Sequence, residues 1–147
     1  MSKYIMGIES SCDDTGVAII KDEKELLANV VSSQIDVHAK YGGVMPEIAS
    51  RLHAENITIC IEKALNDANL TFKDLSAVAV TSGPGLIGAL HVGLQAAKTI
   101  SLVHDIPLIS VHHLAGHIYA NNFEGEIKYP CLALIVSGGN SEIVYME

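Results

Sequence analysis

The amino-acid sequence predicts an α/β fold built on a mixed five-stranded sheet with flanking helices. Two observations lead to this prediction: short apolar stretches separated by polar turns open the chain, and apolar stretches of strand length then alternate with longer stretches of helical period. This order is typical of a sheet covered by helices. The chain has 147 residues, of which 49% are apolar, so it is long enough to bury a core.

The first half of the chain is predicted to hold three strands and a helix. Residues 4–9 and 16–20 are strands on either side of the polar turn SSCDDT, and residues 26–33 are a third strand. A glycine-rich loop, DVHAKYGGVM, follows, and Pro46 suits the first turn of a helix because its missing N–H would be unpaired there. The helix carries an apolar stripe at the helical period, formed by Ile57, Cys60, Ile61, Ala64, Leu65 and Ala68.

The second half is predicted to alternate strands and helices. Residues 75–81 contain the continuous apolar run AVAV, which is typical of a strand buried on both faces. Residues 86–104 are apolar almost all round, which predicts a buried helix. Residues 106–111 form the next strand, and residues 112–122 a short helix. The resulting order βββαβαβα is the topology of a ribonuclease-H-like lobe.

The end of the chain repeats the pattern of its beginning. Residues 131–146, CLALIVSGGNSEIVYM, have a buried strand, a turn of small polar residues and a second strand, as YIMGIESSCDDTGVAII does. We therefore expect residues 1–127 to form one lobe and residues 128–147 to be the first hairpin of a second lobe that is otherwise absent. A hairpin is marginally stable alone, so we expect a fragment; the alternative is a hairpin that completes the first sheet.

Composition limits the partners and the compartment. The net charge of −8 makes the chain a poor candidate for gripping phosphate backbones by itself. Its three cysteines are odd in number and far apart, which favours reduced thiols in a cytoplasmic protein. No apolar run approaches the roughly 18 residues needed to cross a bilayer, so we expect no membrane partner.

The two polar turns, SSCDDTG and SGGNS, are candidate phosphate contacts. Small residues in a turn leave backbone N–H groups unpaired, and glycine lets a phosphate come close. The alternative is two ordinary β-turns. Asp13 and Asp14 of the first turn are able to hold a cation or to accept a proton from an attacking group, and the alternative for them is a solvated turn.

The stretch GPGLIG has the spacing of a dinucleotide-binding motif but the wrong surroundings. That motif belongs to the first strand–helix turn of its unit, whereas here three strands precede the strand that leads into GPGLIG. Pro84 also removes a backbone donor, and Asp105 comes before the next strand rather than after it. We expect a packing role instead, in which small residues let a helix approach the sheet: Gly85, Gly88 and Gly93.

The stretch SVHHLAGHIYA holds a candidate metal site. His113 and His117 are four residues apart, which places them on one face of a helix, and neutral imidazoles suit zinc or iron. A zinc protease of the HExxH type has glutamate after the first histidine, but Leu114 stands here. His112 points about 100° away and is not expected to be a ligand. The alternative is a pair of histidines satisfied by local hydrogen bonds, as expected for His38, His53, His91 and His104.

Five stretches together resemble the N-terminal part of the tRNA adenosine threonylcarbamoyltransferases, in their bacterial form. In order, they are GIESSCDDTGVAI, HAKYGGVMPEIASRLH, SGPGLIGALHVGL, VHHLAGH and LIVSGGNSEIV. This family is also known as the glycoprotease or O-sialoglycoprotein endopeptidase family. The resemblance implies the two-lobed actin/Hsp70/sugar-kinase (ASKHA) fold, with its second lobe missing from this chain.

The resemblance also implies site residues. His113 and His117 would bind one divalent metal, iron or zinc, with an aspartate of the missing lobe as third ligand. The loop that binds threonylcarbamoyl-adenylate would be formed by Ile135, Val136, Ser137, Gly138 and Gly139. Two residues depart from the family pattern: Asn140 replaces the usual histidine, and Asp14 replaces a glutamate, which shortens the reach of its carboxylate.

The implied activity is transfer of the threonylcarbamoyl group from threonylcarbamoyl-AMP to the exocyclic amine of the adenosine 3′ of the anticodon, in tRNAs reading codons that begin with A. ATP would be used by the pathway. Asp13 or Asp14 is the candidate to remove the proton of the amine. The implied partners are tRNA, a paralogous ASKHA-fold subunit, a P-loop-type ATPase and an adenylate-forming enzyme, and we expect the fragment alone to be inactive.

Two other functions stay open at this point. A metalloendopeptidase acting on glycoproteins would lack its general base, because Leu114 follows His113. A non-catalytic paralogue that serves as an interaction subunit would lack the histidine pair that this sequence has.

Overall fold

A five-stranded mixed sheet forms the centre of the structure, a computed structural model that describes residues 2–137 and 140–147. The strand order is β3-β2-β1-β4-β5, where β1 pairs antiparallel with β2 and β2 with β3, while β1 pairs parallel with β4 and β4 with β5. The predicted mixed sheet is therefore confirmed. Its strands are β1 (Tyr4–Glu9), β2 (Asp14–Lys21), β3 (Glu25–Ser33), β4 (Ala77–Gly83) and β5 (Leu108–His112).

The described residues form four α-helices, which alternate with the strands in the predicted order apart from one additional helix. They are α1 (Ile35–His38), α2 (Pro46–Ala68), α3 (Ile87–His104) and α4 (His113–Tyr119). The addition is α1, which begins the stretch expected to be a loop. The last predicted helix is split, because α4 continues as a 3₁₀ turn over Ala120–Phe123. Two other 3₁₀ turns span Ala39–Tyr41 and Phe72–Asp74.

The core lies between the sheet and the two long helices. Met6, Ile19 and Val78 are fully buried, and each such side chain contributes roughly 1.5–3 kcal/mol by leaving water. The apolar stripe of α2 packs on this layer, as its period predicted: Ile57, Cys60, Ile61, Ala64 and Leu65 are all buried.

Helix α3 is not buried all round, so that expectation from its sequence is wrong. Its buried residues, Ala89, Gly93, Ala97 and Ile100, recur at helical spacing and define one face. The rest of its surface is open, since Leu102 is 83% and Val103 68% exposed. The physical reason is that α3 packs against α2 and the sheet on one side only, and hydropathy does not tell which side of a helix is covered.

The C-terminal hairpin forms a separate two-stranded sheet. Strands β6 (Cys131–Ser137) and β7 (Asn140–Met146) pair antiparallel, with Leu132 opposite Tyr145 and Leu134 opposite Ile143. The alternative in which the hairpin completes the first sheet is therefore wrong for the strands that the structure describes, and the division at residue 127 stays a prediction. Within the described residues, no helix combines the length and apolar character required to cross a bilayer.

Candidate metal centre

The candidate centre lies at one edge of the sheet. Strands β1, β4 and β5 lie side by side and run in the same direction, so their carboxyl ends meet there. Glu9 ends β1, Thr81 lies near the end of β4, and His113 begins α4 directly after β5. Ligands of open α/β sheets bind at this kind of edge.

The two predicted metal ligands lie close together on α4. His113 Nε2 is 3.2 Å from His117 Nε2, and the ring planes are inclined by 79°. Two imidazole nitrogens bound to one metal at about 2.0–2.1 Å, with an angle of about 90–110° between them, lie about 2.8–3.4 Å apart. The observed separation therefore fits two ligands of a shared ion. His117 is exposed, so the pair opens to solvent.

A carboxylate orients the first of these histidines. His113 Nδ1 lies 3.1 Å from Glu9 Oε2 and 3.1 Å from Ser11 Oγ. An ionised carboxylate oxygen only accepts hydrogen bonds, so Nδ1 carries the proton and donates it. The lone pair of His113 Nε2 then faces His117, whose Nε2–H donates a hydrogen bond to it at 3.2 Å. A histidine backed by a carboxylate in this way is typical of metal sites.

The carboxylate of Glu9 is itself held in place. Thr81 Oγ1 donates to its Oε2 at 2.6 Å, and the backbone N–H of Ser11 donates to its Oε1. Burial raises the pKa of Glu9, but the hydrogen bonds from Ser11, Thr81 and His113 lower it further than burial raises it, so the pKa lies below its ordinary value. Glu9 is therefore ionised at neutral pH. Sequence reasoning missed this residue; its one signal was its position at the end of a buried strand.

The two predicted catalytic carboxylates lie in and beside the turn that follows β1. Asp13 is half-buried in the turn, and its backbone carbonyl accepts a hydrogen bond from the N–H of Gln34 at 3.1 Å. Asp14 is exposed and begins β2, where it pairs with Ser33. Within the described part of the chain, no hydrogen bond or ion pair joins either carboxylate to the two histidines of α4. Their catalytic role stays a prediction.

The thiol next to these aspartates is held in its neutral form. Partial burial, a hydrogen bond with Asp13 and the negative charges of Asp13, Asp14 and Glu9 raise the pKa of Cys12 to about 11. An anionic environment of this kind disfavours a thiolate. Cys12 is exposed and lacks the electropositive surroundings of a reactive cysteine.

A buried histidine fixes the other side of the turn. His53 of α2 is fully buried, and its Nε2–H donates to the carbonyl of Cys12 at 3.0 Å. Its Nδ1 accepts from Thr15 Oγ1 at 2.7 Å, so both ring nitrogens are paired. His38 likewise makes local hydrogen bonds, to Gln34 and to the N–H of Met45. Both histidines have the local hydrogen-bonding role expected of them.

The glycines of GPGLIG pack α3 against this turn, as their surroundings in the sequence predicted. A Cβ on Gly85 would lie 2.6 Å from the carbonyl oxygen of Ser11, which also accepts the N–H of Leu86 at 2.7 Å. A Cβ on Gly93 would lie 2.5 Å from Ser10 Oγ. A Cβ on Gly88 would be equally close, 2.5 Å, to the hydroxyl of Ser50 in α2. At Gly85 the crowding atom is backbone, so the close approach there requires glycine, whereas at Gly88 and Gly93 the nearest atom is a serine hydroxyl.

The predicted adenylate loop begins at the end of β6, the strand that contacts α4. Ile135 is buried and Val136 is 71% exposed. Ser137 pairs with Asn140 across the hairpin, while Gly138 and Gly139 lie outside the described residues. The binding role of these five residues stays a prediction.

The described residues bring two candidate metal ligands together, His113 and His117, rather than a full set. Among the residues that the structure describes, no group of three or more His, Cys, Asp and Glu side chains is arranged to hold a metal ion. Leu114, which follows His113, is buried, so the position used by the glutamate of a zinc protease holds an apolar side chain. The histidine pair fits part of a site that needs at least one further ligand.

Comparison with known proteins identifies the family. The family model of tRNA N6-adenosine threonylcarbamoyltransferase, TsaD, matches residues 25–147. The chain belongs to the TsaD family. This agrees with the resemblance found in the sequence motifs.

Relatives within the TsaD family are longer than this chain. A tRNA N6-adenosine threonylcarbamoyltransferase of Bacillus thuringiensis (strain Al Hakam) is 58% identical over 143 residues, which are 97% of this chain and 42% of the relative. The protein of the same name from Geobacillus thermodenitrificans (strain NG80-2) is 56% identical over 144 residues, 98% of this chain and again 42% of the relative. The chain thus spans about two fifths of the length of these relatives.

A solved structure shares the fold. YeaZ from Pseudomonas aeruginosa superposes with a TM-score of 0.62 over 98% of this chain and 65% of its own, at 13% sequence identity. At this identity the likeness concerns the fold alone. The fold is the predicted α/β lobe of the ASKHA type.

Proposed function

We propose that this chain contributes half of the catalytic centre of a cytoplasmic tRNA N6-adenosine threonylcarbamoyltransferase. The observation that carries the proposal is the pair His113 and His117, whose Nε2 atoms lie 3.2 Å apart at the edge of the sheet. Membership of the TsaD family and the names of relatives at 56–58% identity support the same activity.

The proposed reaction is an acyl transfer. The exocyclic amine of the adenosine 3′ of the anticodon, in a tRNA reading codons that begin with A, attacks the carbonyl carbon of threonylcarbamoyl-AMP. A carbon–nitrogen bond forms, the carbon–oxygen bond to the phosphate breaks, and AMP leaves. The amine loses one proton, which a nearby carboxylate accepts.

The histidine pair is proposed to hold one divalent metal, iron or zinc, together with an aspartate from a second lobe. When bound there, such an ion supplies a Lewis acid that binds oxygens of the adenylate and polarises its carbonyl. The contribution of this chain is geometric, because α4 presents both Nε2 atoms to one point and Glu9 keeps the proton of His113 on Nδ1.

The other predicted site residues are proposed to act around this pair. The turn after β1 brings Ser11 Oγ to 3.1 Å from His113 Nδ1, and this short connection supports Asp13 or Asp14 as the proton acceptor. Residues 135–139 are proposed to bind the adenylate, because β6 contacts the helix that bears the histidines. Backbone N–H groups of Gly138 and Gly139 would face developing negative charge.

The charge of the chain supports the proposed partners. A net charge of −8 does not favour binding to the phosphates of tRNA, so basic surface would come from a paralogous ASKHA-fold subunit, a P-loop-type ATPase and the enzyme that makes the adenylate. We expect this chain to be inactive alone, since two ligands make an incomplete site.

The proposal is tested by replacing both histidines in the native protein. With preformed threonylcarbamoyl-AMP and tRNA as substrates, the double variant His113→Ala, His117→Ala is expected to lose its bound metal, measured by elemental analysis. Its transfer rate should fall by about a hundred-fold or more. His104→Ala, at the end of α3, is the matched control and should keep both its bound metal and its transfer rate. Full metal content and activity in the double variant would contradict the proposal.

A further inference from the structure

We propose that Glu9 is a positioning residue of the metal centre, which selects the tautomer of His113 that can bind a metal. This inference rests on the proposed function, because it takes the His113–His117 pair as the ligands. It concerns a residue to which the sequence analysis assigned no role, although Glu9 lies within the stretch GIESSCDDTGVAI.

Three elements of the fold hold the Glu9 carboxylate. Its Oε1 accepts a hydrogen bond from the backbone N–H of Ser11, in the turn after β1. Its Oε2 accepts a hydrogen bond of 2.6 Å from the hydroxyl of Thr81 in β4. The same Oε2 accepts Nδ1–H of His113 in α4 at 3.1 Å. The carboxylate is therefore held by partners other than His113, and it offers that residue an acceptor in a fixed position.

The hydrogen bond determines which ring nitrogen of His113 is free. A neutral imidazole has a single N–H, and a partner that binds one nitrogen sets the state of the other. Because Glu9 accepts a hydrogen bond from Nδ1–H, the proton stays on Nδ1 and the lone pair lies on Nε2, which is the atom 3.2 Å from His117 Nε2. An Nε2–H tautomer would point a hydrogen at the position where an ion must bind.

Glu9 acts through His113 and is not a ligand in this arrangement. Its carboxylate lies beside Nδ1, whereas the position shared with His117 lies beside Nε2 on the other side of the ring. The side chain of His113 is only 17% exposed, so the ring is held between the carboxylate and its surroundings. The pairing of a ligand histidine with a carboxylate raises ligand basicity and limits ring rotation.

The first test compares Zn²⁺ affinities of the metal-stripped native protein, measured by competition with a chromogenic chelator. Glu9→Gln is expected to weaken Zn²⁺ binding by about ten- to a hundred-fold, the usual effect of removing such a partner. Glu25→Gln is the matched control, since the exposed Glu25 lies in the same sheet and forms an ion pair with Lys21, away from the histidines. It should leave the affinity unchanged. Equal affinities of Glu9→Gln and the unsubstituted protein would overturn the proposal.

A second measurement needs no variant and therefore does not depend on how well Glu9→Gln folds. Long-range proton–nitrogen correlation spectra of the metal-free protein report which nitrogen of each histidine carries the proton. The proposal predicts that His113 is protonated on Nδ1 in the unsubstituted protein. A predominant Nε2–H form of His113 in the unsubstituted protein would overturn it.

The two proposals fail in different ways. If the double variant His113→Ala, His117→Ala keeps its Zn²⁺ affinity, the histidines are not the ligands, and the proposed function loses its metal site. If the double variant loses binding while Glu9→Gln keeps it, the metal site stands and the positioning role of Glu9 is overturned.

Discussion

Glu9 Oε2 lies 3.1 Å from His113 Nδ1, although the two residues are 104 positions apart in the chain. The contact exists because β1, β4 and β5 lie side by side in parallel, so the residue that ends β1 and the residue that follows β5 meet at one edge of the sheet. The orientation of the proposed metal ligand therefore depends on the packing of the sheet edge.

The hydrogen bond between Thr81 and Glu9 is expected to stabilise this edge. Thr81→Val keeps the shape of a buried side chain but removes the hydroxyl that donates to Glu9 Oε2. In a double-mutant cycle with Glu9→Leu, which has no acceptor, followed by urea unfolding of the metal-free protein, we expect a coupling free energy of about 1.5–3 kcal/mol, as for a hydrogen bond to a charged group. Thr99→Val is the control, since its hydroxyl bonds within α3. Additive effects of Thr81→Val and Glu9→Leu would mean that the bond is absent in solution.

Substitution of Gly85 is expected to destabilise the protein. An added Cβ would lie 2.6 Å from the backbone oxygen of Ser11, so the backbone must shift to accept it. Gly85→Ala should therefore lower the free energy of unfolding by about 1–3 kcal/mol in urea denaturation. Gly43→Ala, where an added Cβ meets nothing within 4 Å, should show no such loss. Equal stabilities of the two variants would contradict the packing role of the glycine.

Loss of the His53 hydrogen bonds is expected to be costly. His53→Phe retains a ring in this fully buried position but removes the partners of Thr15 and of the Cys12 carbonyl. We expect the free energy of unfolding to fall by about 1–3 kcal/mol per group left unpaired. The same substitution at His91, which is exposed on α3, is the control. A His53→Phe variant as stable as the control would rule out these bonds as a source of stability.

The raised pKa of Cys12 predicts an unusual alkylation profile. Because the thiolate is the reactive form and neighbouring carboxylates disfavour it, the rate with iodoacetamide should keep rising up to a pH of about 11. Mass spectrometry of the peptide that contains Cys12 gives this rate, with glutathione in the same solution as reference. Asp13→Asn removes a charge and an acceptor, so it should move the profile to lower pH. A rate that levels off near pH 8.5, the ordinary value for a thiol, would contradict the assignment.

The parts of the fold that depend on local patterns were predictable from the sequence. The order of strands and helices follows from hydrophobic period, and the packing role of GPGLIG followed from its place after the fourth strand. The i, i+4 spacing of His113 and His117 was sufficient to predict that they share a helix face.

Two features depend on long-range contacts and were not predictable in this way. The role of Glu9 requires knowledge that β1 lies beside β4, because its partners Thr81 and His113 come from distant parts of the chain. The exposed part of α3 was not predictable for the same reason. Leu102 and Val103 are as apolar as core residues, so their hydropathy does not show that they are exposed. Which side of a helix is covered is decided by the elements packed against it.

The most direct test of the metal site is anomalous X-ray diffraction from crystals of the native protein, recorded at the zinc and iron absorption edges. We predict a peak about 2.0–2.2 Å from both His113 Nε2 and His117 Nε2. A metal-loaded protein whose only peak lies away from α4, with the two histidines hydrogen-bonded to each other, would contradict the account.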